Sequence, residues 1–277
     1  MRQHYIWEFS QTGFCLPSYT HGFAWRLLLL GGSCPENYLR DIKVVTGFLT
    51  LIRTSVSPPP DMREVGKAAW AFPIVGMFIG ISLALFYCMC SIFFPQAVAA
   101  ILALILWVVI TGGLHLDGWT DCWDALGAAV PAERRVEILK DSRLGAFGAI
   151  ALILLLTTKV VTLMAMTSPA LGMFIAPIMG RSMMILVSGG SRTFESGMAA
   201  GFLEGVERRS CNFCWGFSIV IGLFAGLLGL LSIGAAYASG SWFRRLAESR
   251  IGFVNGDVLG SICELVEVTV LIILCIK

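Results

Sequence analysis

The sequence predicts an all-α, polytopic membrane protein, and three observations carry that expectation. Apolar residues make up 57% of the 277 positions and charged residues only 14%, with a mean hydropathy of +0.80. A soluble domain with that balance could not cover its own surface. The apolar residues also fall in runs near the ~20 residues that cross a bilayer as a helix: about 68–94, 96–115, 144–166, 169–190 and 258–276. Finally, Lys and Arg gather in 40–67, 113–143 and 191–210, whereas the turns at 94–97 and 167–170 carry no charge. Charge bias of this kind puts the basic segments on the cytoplasmic side of the membrane. A net charge of +2 gives no field that would attract nucleic acid.

Taken in order, residues 1–40 are rich in aromatics, Gly and Pro and lack a period. The run F-A-W-R-L-L-L-L (23–30) is too short to span, contains Arg26 and has no clean cleavage site after it. We expect a poorly ordered or interfacial extension there, followed by an integral-membrane catalytic domain over 41–277. Ile42, Val45, Phe48, Leu49 and Ile52 recur at helical spacing beside Lys43 and Arg53. They predict an amphipathic interfacial helix before the first span, ended by Pro58, Pro59 and Pro60. The apolar region 212–243 is long for one crossing and short for two. One crossing would put Arg244, Arg245 and Arg250 outside. Two crossings, with a turn near 226–230, keep them with the other basic residues and bring Asp257 to the face that holds 113–143. That reading gives about six to seven transmembrane helices. Cys211 and Cys214 form a lone C-x-x-C, without the second pair a closed zinc site needs.

The chain is organised around 111–148. Asp117, Asp121 and Asp124 stand at i, i+4 and i+7, which share one face of a helix. Three carboxylates on one stripe repel unless a cation binds them. A hard divalent ion such as Mg2+ takes such oxygens and keeps positions open for phosphates. Lys140, Asp141 and Arg143 follow; the two cations suit phosphate oxygens, and Asp141 either adds to the metal site or holds Arg143. His115 is a general base or a hydrogen-bonded structural residue. Gly112, Gly113 and Gly118 serve close ligand approach or close helix packing. Trp119 and Trp123 are interface anchors or stack on a flat substrate. Glu133, Arg134, Arg135 and Glu137 fit a solvated helix face. Lys159, Arg181, Glu264 and Glu267 lie inside apolar spans and must face the bundle and find partners.

H-L-D-G-W-T-D-C-W-D-A-L-G (115–127) and E-R-R-V-E-I-L-K-D-S-R-L-G-A-F-G (133–148) resemble the signature of the cobalamin-5′-phosphate synthases, the adenosylcobinamide-GDP ribazoletransferases. G-F-L-T-L-I-R (47–53), F-P-I-V-G (72–76), A-P-I-M-G-R (176–181) and N-G-D-V-L-G (255–260) are similar to further patches of that family. The chain departs from it at Trp119, Trp123 and Ala125, where smaller residues are usual. The resemblance implies a Mg2+-dependent phosphotransferase late in cobalamin assembly. It would join adenosylcobinamide-GDP to α-ribazole or its 5′-phosphate and release GMP. Asp117, Asp121, Asp124 and Asp141 would hold Mg2+, with His115 or an Asp accepting the proton. Lys140, Arg143, Arg181, Asp257 and Gly118 would bind substrate. Partners would be these small molecules and membrane lipid, not nucleic acid, and a homo-oligomer is compatible with the sequence. A CDP-alcohol phosphatidyltransferase also clusters Asp residues at a membrane, but its motif carries an Arg that D-G-W-T-D-C lacks. A transporter would set its acids near the midplane in broken helices.

Overall fold

The amphipathic pattern around residue 41 does form a helix, α1 (Pro35–Leu49), which begins earlier than the spacing suggests. The computed structural model describes residues 35–276 apart from 142 and 193–196, so the expectations for 1–34 lie outside the described residues. The apolar stripe of α1, with Val44, Val45 and Leu49, is buried against the bundle. Trp70 Nε1 donates to Asp41 at 2.9 Å. Arg40 pairs with Glu64 at 3.2 Å. The triproline lies in an irregular segment, after which Asp61 caps α2 (Met62–Lys67) by accepting from the Glu64 N–H at 2.7 Å. A single 3-10 turn, Ala68–Ala71, leads into α3 (Phe72–Phe93).

The remaining helices are α4 (Gln96–Thr111), α5 (Leu114–Gly127), α6 (Ala132–Leu139), α7 (Ala146–Ala165) and α8 (Pro169–Ser188). After them come α9 (Met198–Gly205), α10 (Arg208–Phe224), α11 (Gly226–Arg250) and α12 (Gly256–Leu274). Among the described residues four helices are long and apolar enough to cross a membrane: Ala69–Phe93, α7, α8 and α11. A fifth crossing is reached only if α4 and α5 count as one broken span. This is fewer than six to seven for clear reasons. The run 96–115 breaks at 112–113, α10 has only 17 residues, and α12 carries Asp257, Glu264 and Glu267. The protein is nonetheless a polytopic helical membrane protein. Ile92 and Phe93 on α3, Ile153 and Leu154 on α7, and Leu223 and Phe224 on α10 are exposed large apolar side chains, as a lipid-facing surface requires.

Helix α8 is the axis of the bundle, buried over most of its length. It packs on α3 through Gly76 and Gly80, one turn apart. A Cβ at these positions would fall 2.7 Å from the Pro177 carbonyl oxygen and 2.4 Å from that of Phe174. Small residues at this spacing let two membrane helices approach backbone to backbone. The ambiguous region 212–243 resolves as an antiparallel hairpin. The chain reverses at Ala225–Gly226, where Gly226 adopts φ 62°. Trp215 then meets Tyr237 at 5.3 Å between ring centroids, and Gly222 packs against Gly229 and Ile233. Helix α12 returns along α8 and α11 and lays its first turns across α5.

Candidate active site

Two successive left-handed residues, Gly112 (φ 64°) and Gly113 (φ 67°), end α4 and set α5 at 90° to it. Positive φ is strained for any residue with a Cβ, so a pair of glycines is the local reason for the bend. The bend turns the acids of α5 out of the spanning direction. Along α5, Asp117 is exposed, Asp121 half-buried and Asp124 buried.

Asp257 joins them from the first turn of α12. A Cβ at Gly118 would lie 2.8 Å from both Cα and O of Asp257, so the two helices touch only because residue 118 has no side chain. The contact is fixed by Ser261 Oγ, which donates to the Gly118 carbonyl at 2.9 Å. Asn255 caps α12 by accepting from the Val258 N–H at 3.0 Å, and its amide donates to Asp257 at 2.6 Å. Charge crowding follows. Burial, and then the carboxylates of Asp117, Asp257 and Asp124, push Asp121 up to about 6. Burial and the charge of Asp117 likewise raise Asp257, against the Asn255 hydrogen bond.

Asp124 has a second engagement. Its carboxylate accepts from the backbone N–H groups of Gly145 at 2.7 Å and Gly148 at 2.8 Å, closing the N-terminus of α7. Both glycines are required by that docking. A Cβ at 145 or 148 would sit 2.3 or 2.4 Å from an Asp124 oxygen. The G-A-F-G end of the central motif is thus the seat of an acid 21 residues earlier.

Asp141 and Arg143 pair with each other at 2.6 Å in the exposed loop between α6 and α7. The Arg143 side chain and backbone hold Asp141 down to about 2. Lys140 is exposed at the end of α6. The next residue after Arg143, Leu144, borders a cavity of about 770 Å³ that is also lined by Asp117, Thr120 and Asp121. A second cavity of about 290 Å³ is lined by His115, Asp117, Asp257, Phe48, Phe202 and Met184. Asp117 faces both. His115 is 3% exposed, and neither ring nitrogen has a partner among the described residues. Among the described residues, no group of three or more His, Cys, Asp or Glu is placed to hold a metal ion by itself.

Behind α5 lies a charged core. Lys159 donates to Glu264 at 2.6 Å and to Glu267 at 2.5 Å, and sits 4.4 Å over the Trp107 ring. Arg181 pairs with Glu267 and is fully buried; it lines neither cavity. Two further side chains differ from the sequence reading. Arg135 is buried rather than on a solvated face, donating to the carbonyls of Ala125 and Leu126 at 2.9 Å and so closing the C-terminus of α5. Trp119 is buried too, stacked on Phe243 of α11 at 6.0 Å and 5.5 Å from Trp123, which makes the pair a packing element rather than an interface anchor. Asp257, which the resemblance assigns to substrate binding rather than to the metal acids, stands beside them. In the sequence only the N-G-D patch and the charge bias point to Asp257 as a neighbour of this site.

A helical membrane bundle with carboxylates of two helices converging beside an open cleft and a basic loop defines a class, the polytopic membrane enzymes. The chain belongs to the cobalamin-5-phosphate synthase family, whose model matches residues 41–275. It is 34% identical over 229 residues to an adenosylcobinamide-GDP ribazoletransferase of Brevibacillus brevis, covering 78% of this chain and 92% of that one. A protein of the same name from Syntrophobacter fumaroxidans is 35% identical over 231 residues, covering 81% and 93%. Another from Ectopseudomonas mendocina is 29% identical over 239 residues, covering 85% and 98%. No solved structure matches the chain.

Proposed function

We propose that the chain is a Mg2+-dependent adenosylcobinamide-GDP ribazoletransferase, working at the cytoplasmic face of a bacterial inner membrane. The observation that carries the chemistry is the convergence of Asp117, Asp121 and Asp257 at the backbone contact between Gly118 and Asp257. Carboxylates that raise one another's pKa hold uncompensated negative charge. Mg2+ uses few protein oxygens and completes its shell with water and phosphate. Residues that do not close a metal site by themselves, yet crowd acids beside a cleft, fit that habit. Asp117, Asp121 and Asp257 would hold the ion, with Asp124 at their side. When bound, the ion would neutralise pyrophosphate charge and assist the leaving GMP.

The protein's own groups would do the rest by positioning. Arg143, oriented by Asp141, presents a guanidinium fork for phosphate where its loop meets the larger cavity, and Lys140 adds a point charge. The ribazole hydroxyl oxygen forms a bond to the phosphorus that carries the corrinoid arm. The bond from that phosphorus to the bridging oxygen breaks, and GMP departs. A carboxylate of the cluster or His115 takes the hydroxyl proton. The exposed apolar belt contacts lipid, and the basic loops fix the cytoplasmic orientation. The test is GMP release by purified protein given adenosylcobinamide-GDP, α-ribazole and Mg2+. Release that stops with EDTA and returns with Mg2+ is expected. No release with both substrates and metal present would overturn the reading.

A further inference from the structure

We propose that the 290 Å³ cavity is the acceptor subsite, built for a nucleoside with a flat aromatic base, and that the 770 Å³ cavity takes the phosphorylated end of the larger donor. The inference rests on the transferase reading and adds to it which wall of the site meets which substrate. Its first support is that a single carboxylate, Asp117, lines both cavities. In phosphoryl transfer the attacking and leaving oxygens lie roughly in line on opposite sides of phosphorus. Two hollows that share this acid let an attacking and a leaving group meet beside it.

The second support is size. Small-molecule sites run from about 300 to 1,000 Å³, so the smaller cavity suits a nucleoside. The larger one, bordered by the loop that carries Arg143, suits a pyrophosphate attached to a bulky group. The third support is chemistry. The smaller cavity is lined by Phe48, Phe202, Met62 and Met184. Aromatic rings and thioethers pack well on a flat ring system. Its lining also includes His115, Asp117 and Asp257, which supply acceptors for sugar hydroxyls. His115 is the telling group, since it is almost fully enclosed and has both ring nitrogens unpartnered. A buried polar atom left without a partner is destabilising, and a ligand hydroxyl in this cavity would remove that cost. The neutral ring can donate from one nitrogen and accept at the other.

The test compares two substitutions that narrow one cavity each. Ala200→Phe on the smaller cavity should raise the KM for α-ribazole about tenfold or more while kcat and the KM for adenosylcobinamide-GDP stay near wild type. Leu152→Trp on the larger cavity should do the reverse. A donor KM that moves with Ala200→Phe, or an acceptor KM that does not, overturns the assignment. A second measurement needs no turnover. In a variant stripped of its accessible native cysteines, Met198→Cys places a thiol on the rim of the smaller cavity. With α-ribazole at ten times its Kd, maleimide labelling of that thiol should slow about tenfold, and adenosylcobinamide-GDP should leave it unchanged. Protection by the donor and not by α-ribazole overturns the proposal. Failure of the transferase reading is seen separately, as absence of GMP release by the unmodified protein.

Discussion

Replacing Asp124 with asparagine removes one of the two carboxylate oxygens that close the N-terminus of α7. In the native protein, the Gly145 and Gly148 N–H groups reach those oxygens at 2.7 and 2.8 Å inside a site where Asp124 is only 9% exposed. Asparagine keeps one acceptor and turns an NH2 group toward the other N–H. A buried donor left unsatisfied costs about 1–3 kcal/mol, and loss of the negative charge at a helix N-terminus adds about 0.3–1 kcal/mol. The sum, about 1.3–4 kcal/mol, corresponds to a melting-point drop of roughly 3–16 °C for a chain of this size. Thermal unfolding in detergent measures it. Asp117→Asn serves as the control, because Asp117 is exposed and no such cap depends on it. Gly148→Ala should reproduce the loss, since its Cβ would lie 2.4 Å from Asp124 and 2.7 Å from the Thr120 carbonyl oxygen. GMP release below the melting point then reports on chemistry. An Asp124→Asn protein that melts like wild type would refute the capping argument.

Asp117→Asn and Asp121→Asn should each lower kcat by about a hundredfold or more with melting unchanged, and near-normal turnover in both would remove the acids from the chemistry. Asp121 titrates near 6 in the metal-free fold, raised from 3.8. Its folded state therefore binds more protons than the unfolded chain between those values, and metal-free stability rises as pH falls through that window. The same proton competes with the cation, so Mn2+ affinity should weaken as pH falls through about 6, and titration calorimetry at pH 5 and 7.5 checks the sign. Glu267→Gln leaves Lys159 with Glu264 alone, removes the carboxylate that Arg181 pairs with, and should cost about 3–5 kcal/mol. Adding Arg181→Met should recover most of it, whereas additive losses in the melting curves would contradict a shared ion-pair network. For the topology, impermeant maleimide on intact cells should label Leu227→Cys at the hairpin tip and spare Gly256→Cys beside the acids; the opposite pattern would separate Asp257 from the cytoplasmic face.

Hydropathy alone determined that the chain is a helical membrane protein, because burial in lipid acts on each residue's own side chain and leaves its mark at a local period. The stripe Asp117, Asp121 and Asp124 was equally local, three positions on one helical face. Charge bias went further and brought Asp257 toward the acids by requiring a hairpin over 212–243, which the chain forms at Ala225–Gly226. What the sequence could not supply was the distribution of tasks within the stripe. Asp124 turns to the amides of Gly145 and Gly148, while Asp257 takes its place beside Asp117 and Asp121. Arg135 leaves its expected solvated face to close α5, and Arg181 spends its charge on Glu267 rather than in either cavity. These pairings join one helix to another, across separations from 9 residues (Arg135 to Leu126) to 86 (Arg181 to Glu267). Each depends on which backbone N–H or carbonyl is left open at a helix end and which side chain the packing brings within 3 Å of it. Only the tertiary structure decides that, because a charged group in a buried setting goes to the partner that packing puts within reach.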